Sequence, residues 1–287
     1  MPSLIDIRRR IRSVRNTQQI TKAMKMVSAA KLRRAQDNVL AARPYAGLIR
    51  EILADLIARV PPSEEETPHP LLARRPENNI LLLLLTGDKG LCGAFNTNLI
   101  KASQAFLAGH AAGRVELELI GRKGRDYYRR RQTPISGEHV GVFAKVEYSV
   151  ARSIAGAAME RFRSGEIDAV YLLYNEFKSV LSQKLVVDRI LPLEPPAAAA
   201  SGVDYIYEEP PAQILGNLLP RYVEIQVYRA MLESAAAEHA ARMTAMDAAT
   251  SNAADMIDRL TLYMNRVRQA SITKEIIEVV SGAAALE

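Results

Sequence analysis

The stretch SLIDIRRRIRSVRNTQQITKAMKMVSAAKLRRAQDNVLAARPYAGLIREILADLIAR, Ser3 to Arg59, decides the fold. Steps of three and four residues pick out Leu4, Ile7, Ile11, Val14, Gln18, Thr21, Lys25, Ser28, Leu32, Ala35, Val39, Ala42, Ala46, Ile49, Leu53 and Leu56. This is one heptad register, apolar at both ends and polar in the middle, and such sustained spacing is the signature of a coiled coil. The far end of the chain repeats it through Leu215, Leu218, Tyr222, Ile225, Arg229, Leu232, Ala236, His239, Met243, Met246, Thr250, Ala253, Ile257, Leu260, Met264 and Val267. Two such helices at opposite ends of one chain predict an intramolecular antiparallel pair with a globular domain between them.

The N-terminal helix is expected over residues 1–59, bent but not ended at Pro44, where a proline removes one backbone hydrogen bond. Residues 60–79, with their prolines and the run Glu64 to Glu66, read as a linker. The C-terminal helix is expected over 211–287, with a bend at Pro220. At 1.5 Å per residue the two helices span roughly 80 and 110 Å. Setting Leu56 near Ala212 brings Met24 and Lys25 beside Met243 and Arg242 and the N-terminus beside about Asn265. The last twenty or so residues then project alone by roughly 30 Å. A bare helical tip implies another protein that encloses it.

Residues 80–194 read as an α/β domain. Ile80 to Leu85 is short and wholly apolar, as a strand buried on both faces must be. A glycine-bearing loop and an amphipathic helix from about Asn96 to Leu107 follow. Val115 to Ile120 alternates as a strand, Arg122 to Arg131 is a short basic helix and Val146 to Phe162 a further helix. Asp168 to Phe177 and Lys184 to Leu193 complete the set as strands. Strands alternating with helices predict a Rossmann-like domain with a mostly parallel sheet. Residues 195–210 hold a second linker and the compact acidic-aromatic segment DYIYEEPP.

Charge is uneven. The chain carries a net charge of +6, but residues 1–59 hold thirteen Lys or Arg against four acids, so that helix is +9 and the remainder −3. A basic helix suits nucleic acid, an anionic membrane or an acidic protein surface, and a solvated face is the plain alternative. Cys92 is the single cysteine, which excludes an intramolecular disulfide framework and points to a reducing compartment. The longest apolar run falls far short of the roughly 20 residues a bilayer requires. Arginines from Arg8 onward leave no signal-peptide pattern.

Chemistry-bearing motifs are scarce. The loop TGDKGLCG, Thr86 to Gly93, sits where phosphate loops sit, yet Lys89 precedes the glycine and neither phosphate-binding pattern is matched. A tight strand-to-helix turn accounts for it. No histidine stands at metal-ligand spacing from another ligand. RKGRDYYRRR, Arg122 to Arg131, mixes charge with aromatics as single-strand binders do, without any nucleic-acid module signature. No catalytic residue, cofactor site or metal site emerges.

IRRRIRSVRNTQQITKAMKMVSAAKLRRAQ (Ile7 to Gln36) and ARMTAMDAATSNAADMIDRLTLYMNRVRQASITKEIIEVVSGAAA (Ala241 to Ala285) closely resemble the γ subunit of F-type ATP synthase, as do TGDKGLCGAFN and DYIYEE. The resemblance covers essentially the whole chain. It implies a non-catalytic rotor shaft inside a head of α and β subunits, with the α/β domain below, touching the ε subunit and the ring of c subunits. Carried over position by position, it implies that Met24 and Lys25 meet an acidic lever segment of the β subunit. Arg242 and Gln269 match polar positions implicated in coupling shaft to head. Tyr205, Tyr207 and Glu208 match a foot at the c ring and ε, although strand packing would explain the tyrosines equally well. With Cys92 alone, the dithiol switch of chloroplast relatives is excluded. A bacterial protein, peripheral at the cytoplasmic face of the inner membrane, is the expectation. The competing classes are a coiled-coil-tethered nucleic-acid binder and an α/β enzyme with a helical dimerisation arm.

Overall fold

The computed structural model describes residues 3–59, 69–193 and 209–284. Tyr205, Tyr207 and Glu208 therefore lie outside the described residues, as does most of the expected linkers. The chain divides into two compact units, Met1–Ser28 with Met243–Glu287 and Ala29–Arg242. Helix α1 (Leu4–Arg59) and helix α5 (Pro211–Ala284) contribute to both, and helix continues past Pro44 and Pro220.

In the smaller unit α1 and α5 run antiparallel. The Thr21 and Thr250 hydroxyls share a 2.8 Å hydrogen bond, and one turn later in α1 the Lys25 ammonium meets Asp247 at 2.5 Å. Ile7, Ile11, Met246 and Ala253 close the seam. This register corrects the expectation that Lys25 faces Arg242, since its partner lies about a turn further along α5. The sequence estimate assumed that pairing begins where the helices begin. Within the larger unit, described by itself, Arg43 of α1 pairs with Glu233 of α5. Every heptad position of α1 is buried or half-buried, so the seam itself is as expected. Beyond Ser271 the described side chains of α5 are exposed, including Ile272, Ile276, Ile277, Val279 and Val280.

The larger unit holds a five-stranded sheet ordered β3-β2-β1-β4-β5. Its elements are β1 (Asn79–Leu85), α2 (Phe95–Gly109), β2 (Arg114–Ile120), α3 (Arg122–Tyr128), β3 (Ile135–His139), α4 (Tyr148–Arg163), β4 (Ala169–Phe177) and β5 (Gln183–Leu191). All neighbours pair in parallel except β4 with β5. Central β1 is apolar because both of its faces are covered. Leu81, Leu83 and Leu85 join the core with Phe162 of α4, Leu53 of α1 and Val223 and Met231 of α5. The opposite face meets α2 and α3. Leu71, within the expected 60–79 linker, is fully buried in that core, and its carbonyl accepts the Leu193 N–H. Strand β3, like the 3-10 turn at Pro70–Leu72, has no sequence signal. As an edge strand with a bulge against β2 it needs no apolar alternation.

Candidate partner-contact surfaces

The β1–α2 loop spends its polar groups on its own fold. The Thr86 hydroxyl accepts the Gly124 N–H at 2.8 Å, and the Asp88 carboxylate accepts the N–H groups of Arg122, Gly141 and Phe143. Asn96 accepts the Gly87 N–H at 2.8 Å and donates to the Lys89 carbonyl and the Cys92 sulfur. Anion-binding loops keep such amides free for a ligand, whereas here a carboxylate of the chain already fills the role. Cys92 is buried, and burial followed by the nearby Glu238 charge pushes its thiol up, away from the reactive thiolate. Among the described residues, no three of His, Cys, Asp and Glu cluster as metal ligands.

Arg242 turns into this loop. It is 7% exposed, and its guanidinium donates to the Glu238 carboxylate, to the Gly90 carbonyl at 3.2 Å and to the Lys89 carbonyl at 3.5 Å. The sequence expectation of an arginine beside Lys25 is corrected on both sides, since Lys25 pairs with Asp247. Burial raises the Glu238 carboxyl even though Arg242 acts to lower it. Residues Ala230 to Ala240 of α5 are buried almost all round, as befits a helix sandwiched between other elements. The heptad pattern identified one buried face only. Alanine at 235, 236, 237 and 240 was the signal for close approach on the other faces.

His239 shares this environment. Burial, then the positive charge of Arg242, lowers its pKa to about 4 from 6.5. The unfolded chain thus takes up a proton before the folded one does. Stability from this group is lost as pH falls from about 6.5 to 4, by up to about 3 kcal/mol. Glu238 works in the opposite sense, because its raised pKa makes the folded state bind the proton first. The comparison that isolates His239 is therefore parent against His239→Gln. Thermal melts of the variant should lose stability less steeply over that pH range, and equal slopes would contradict the assignment.

The outer surface of α1 in the smaller unit carries a different chemistry. Arg8, Arg12, Arg15, Gln19, Lys22 and Met26 follow one another at spacings of three and four, and all are exposed. Ile20 and Val27, on the neighbouring face, are also exposed, while Met24 and Lys25 are half-buried between the two. The polar seam residues Thr21 and Ser28 take the buried positions. A cationic stripe flanked by exposed apolar side chains can bind an acidic, partly apolar protein surface. Gln269 of α5 is exposed as well.

The basic segment at α3 is less available. Arg125 pairs with Asp126, Arg129 with Glu138, and Arg131 lies 3.4 Å from the Tyr127 ring centroid. These contacts engage three of the segment's six cations and one of the aromatic faces that a single-stranded nucleic acid would use.

A family model described as ATP synthase matches residues 3–286. The chain is 69% identical over its full 287 residues, and over the full length of the relative, to the ATP synthase gamma chain of Solibacter usitatus. It is 52% identical, again over both full lengths, to that of Anaeromyxobacter dehalogenans. A chain in the Euglena gracilis mitochondrial ATP synthase structure, containing OSCP, F1 and the c-ring, aligns with TM-score 0.67 at 19% identity, covering 99% of this chain and 94% of that one. A chain in the central stalk and c-ring of the Tetrahymena thermophila enzyme aligns with TM-score 0.60 at 24% identity, covering 80% and 99%.

Proposed function

This chain belongs to the ATP synthase gamma chain family, the non-catalytic central-stalk subunit, and from that membership we propose how it couples rotation to the catalytic head. The observation that carries the reading is the cationic stripe Arg8, Arg12, Arg15 and Lys22 beside exposed Ile20, Met26 and Val27. Met24 and Lys25 stand at its edge and meet an acidic lever segment of a β subunit as the shaft turns. Within the water-poor annulus of a surrounding head, attraction between opposite charges exceeds its value in bulk water. Gln269 and the exposed apolar turns from Ile272 to Val280 are enclosed by the α and β subunits, which removes that surface from water. Arg242 contributes from inside, by fixing α5 to the α/β domain. Tyr205, Tyr207 and Glu208 form the foot that meets the ε subunit and the c ring.

Nucleotide chemistry falls to the β subunits, and proton flow through the membrane sector is converted into rotation of this chain. No described helix is long and apolar enough to cross a membrane. Attachment through the c ring, at the cytoplasmic face of a bacterial inner membrane, fits that composition. Mixing the chain with α and β subunits tests the reading. A stable complex with ATPase activity that needs this chain is the expected result, and α and β subunits that hydrolyse ATP equally well without it would refute the proposal.

A further inference from the structure

In doubly wound sheets the crevice outside the carboxyl ends of the strands, where the strand order reverses, is the place where ligands bind. In this order the crevice lies beyond β1 and β4. Here α5 occupies it. Glu233, 1% exposed, accepts the Phe177 N–H at 3.0 Å from the end of β4 and is paired on its other side with Arg43 of α1. One turn on, Glu238 lies so close to the end of β1 that a Cβ on Gly87 would stand 2.9 Å from its carboxyl carbon. Arg242, one turn further, binds Glu238 and the carbonyls of Lys89 and Gly90. The anionic groups at the switch point are thus the chain's own carboxylates.

The surroundings explain why such groups would be needed. Most of the remaining contact of α5 with the domain is apolar, made by residues such as Leu219, Val223, Val227, Met231 and Ala235, with Glu224 accepting from the Tyr148 hydroxyl of α4 as a further, more exposed polar tie. Apolar burial holds the helix in place, but it is non-directional and sets no strict register along or around the helix axis. Hydrogen bonds to charged groups are directional, and those of Glu233 to the end of β4 and of Arg242 to the Lys89 and Gly90 carbonyls, nine residues apart on α5 with Glu238 holding the Arg242 guanidinium between them, resist sliding and turning together. In coiled coils a buried polar group can specify register even where it lowers stability.

We infer that Glu233, Glu238 and Arg242 form a polar clamp at the switch point of the sheet, through which rotation of the α/β domain is passed to α5 without slip. The inference rests on the rotor reading above. These are positioning residues, acting through the rigidity of the helix on catalytic sites they do not touch.

The test uses the full complex in sealed vesicles, with ATP hydrolysis and ATP-driven proton uptake measured together. Glu238→Gln removes the charge that Arg242 faces, and Gly87→Ala wedges a methyl group against the Glu238 carboxyl. For both, proton uptake per ATP hydrolysed should fall by roughly tenfold, the equivalent of one lost hydrogen bond to a charged group, while hydrolysis stays within about twofold. The double variant E238L/R242M replaces the pair with apolar side chains of similar volume, so that stability is kept while the directional contacts are lost. It should melt with the parent complex and still lose coupling. A double variant that couples as the parent does, or single variants whose hydrolysis and uptake fall in parallel, would overturn the clamp. A parent chain that fails to couple in the same vesicles overturns the rotor reading, and the clamp with it.

Discussion

Replacing Gly121 with alanine is expected to abolish folding of the α/β domain. Gly121 has φ +106°, a conformation L side chains rarely adopt, and a Cβ there would stand 1.9 Å from the Thr86 carbonyl oxygen. The backbone has no room to retreat. The Gly121 N–H donates to the His139 carbonyl at 2.7 Å, and the Thr86 N–H donates to Ile120 at 2.8 Å, so the residue is held between β1 and β3. Relieving the clash breaks strand hydrogen bonds at the centre of the sheet, and the loss is expected to exceed about 4 kcal/mol. Domains of this kind hold only about 5–15 kcal/mol in total. Circular dichroism and a denaturant titration read the result. A variant that unfolds cooperatively at the parent midpoint would show that the turn relaxes in a way the geometry does not allow.

The second large effect concerns the cationic stripe. The triple variant Arg12→Glu, Arg15→Glu and Lys22→Glu reverses three exposed charges of α1 that are outside its buried seam. Folding stability should move by no more than a few tenths of a kcal/mol per site, as surface substitutions do. Against an acidic lever each reversal turns attraction into repulsion, at on the order of 1 kcal/mol, so the three together should lower coupled turnover by about a hundredfold. Raising the salt concentration should narrow the gap between variant and parent, because the interaction is screened beyond roughly 10 Å at 0.1 M. Turnover equal to the parent in the assembled complex would remove charge from the mechanism.

The two variants probe what was legible in the sequence to different degrees. The heptad register of α1 could be read directly, because residues three and four apart share a helix face whatever the helix packs against. The count of charges showed that α1 is basic, but which of its cations share one exposed side, Arg12, Arg15 and Lys22 among them, came from the structure. Strand β1 was legible because a run of leucines has no solvent-compatible arrangement. The resemblance carried the partner contacts of Met24, Lys25 and Gln269, and these remain proposals about surfaces.

The clamp was not legible. Nothing in the sequence singled out Glu233 or Glu238, and Arg242 was expected beside Lys25 as a coupling position, because charged residues are seldom fully buried without a partner. Their partners, the Phe177 amide, Arg43 and the carbonyls of Lys89 and Gly90, lie some 55 to 190 residues away in sequence. Neither periodicity nor spacing can bring such groups together. For the same reason β3 gave no signal and Lys25 was assigned the wrong partner.

The sequence alone determined that both ends are helices sharing a heptad seam, that a mostly parallel sheet lies between them in the chain, and that α1 is strongly basic. Each of those follows from local geometry, in which side chains a few residues apart are forced onto a common face. Only the tertiary structure decided that Asp247 faces Lys25, that α5 fills the switch-point crevice and that two glutamates and an arginine serve there as buried fasteners. Those outcomes depend on contacts among residues distant in the chain, which local geometry does not specify.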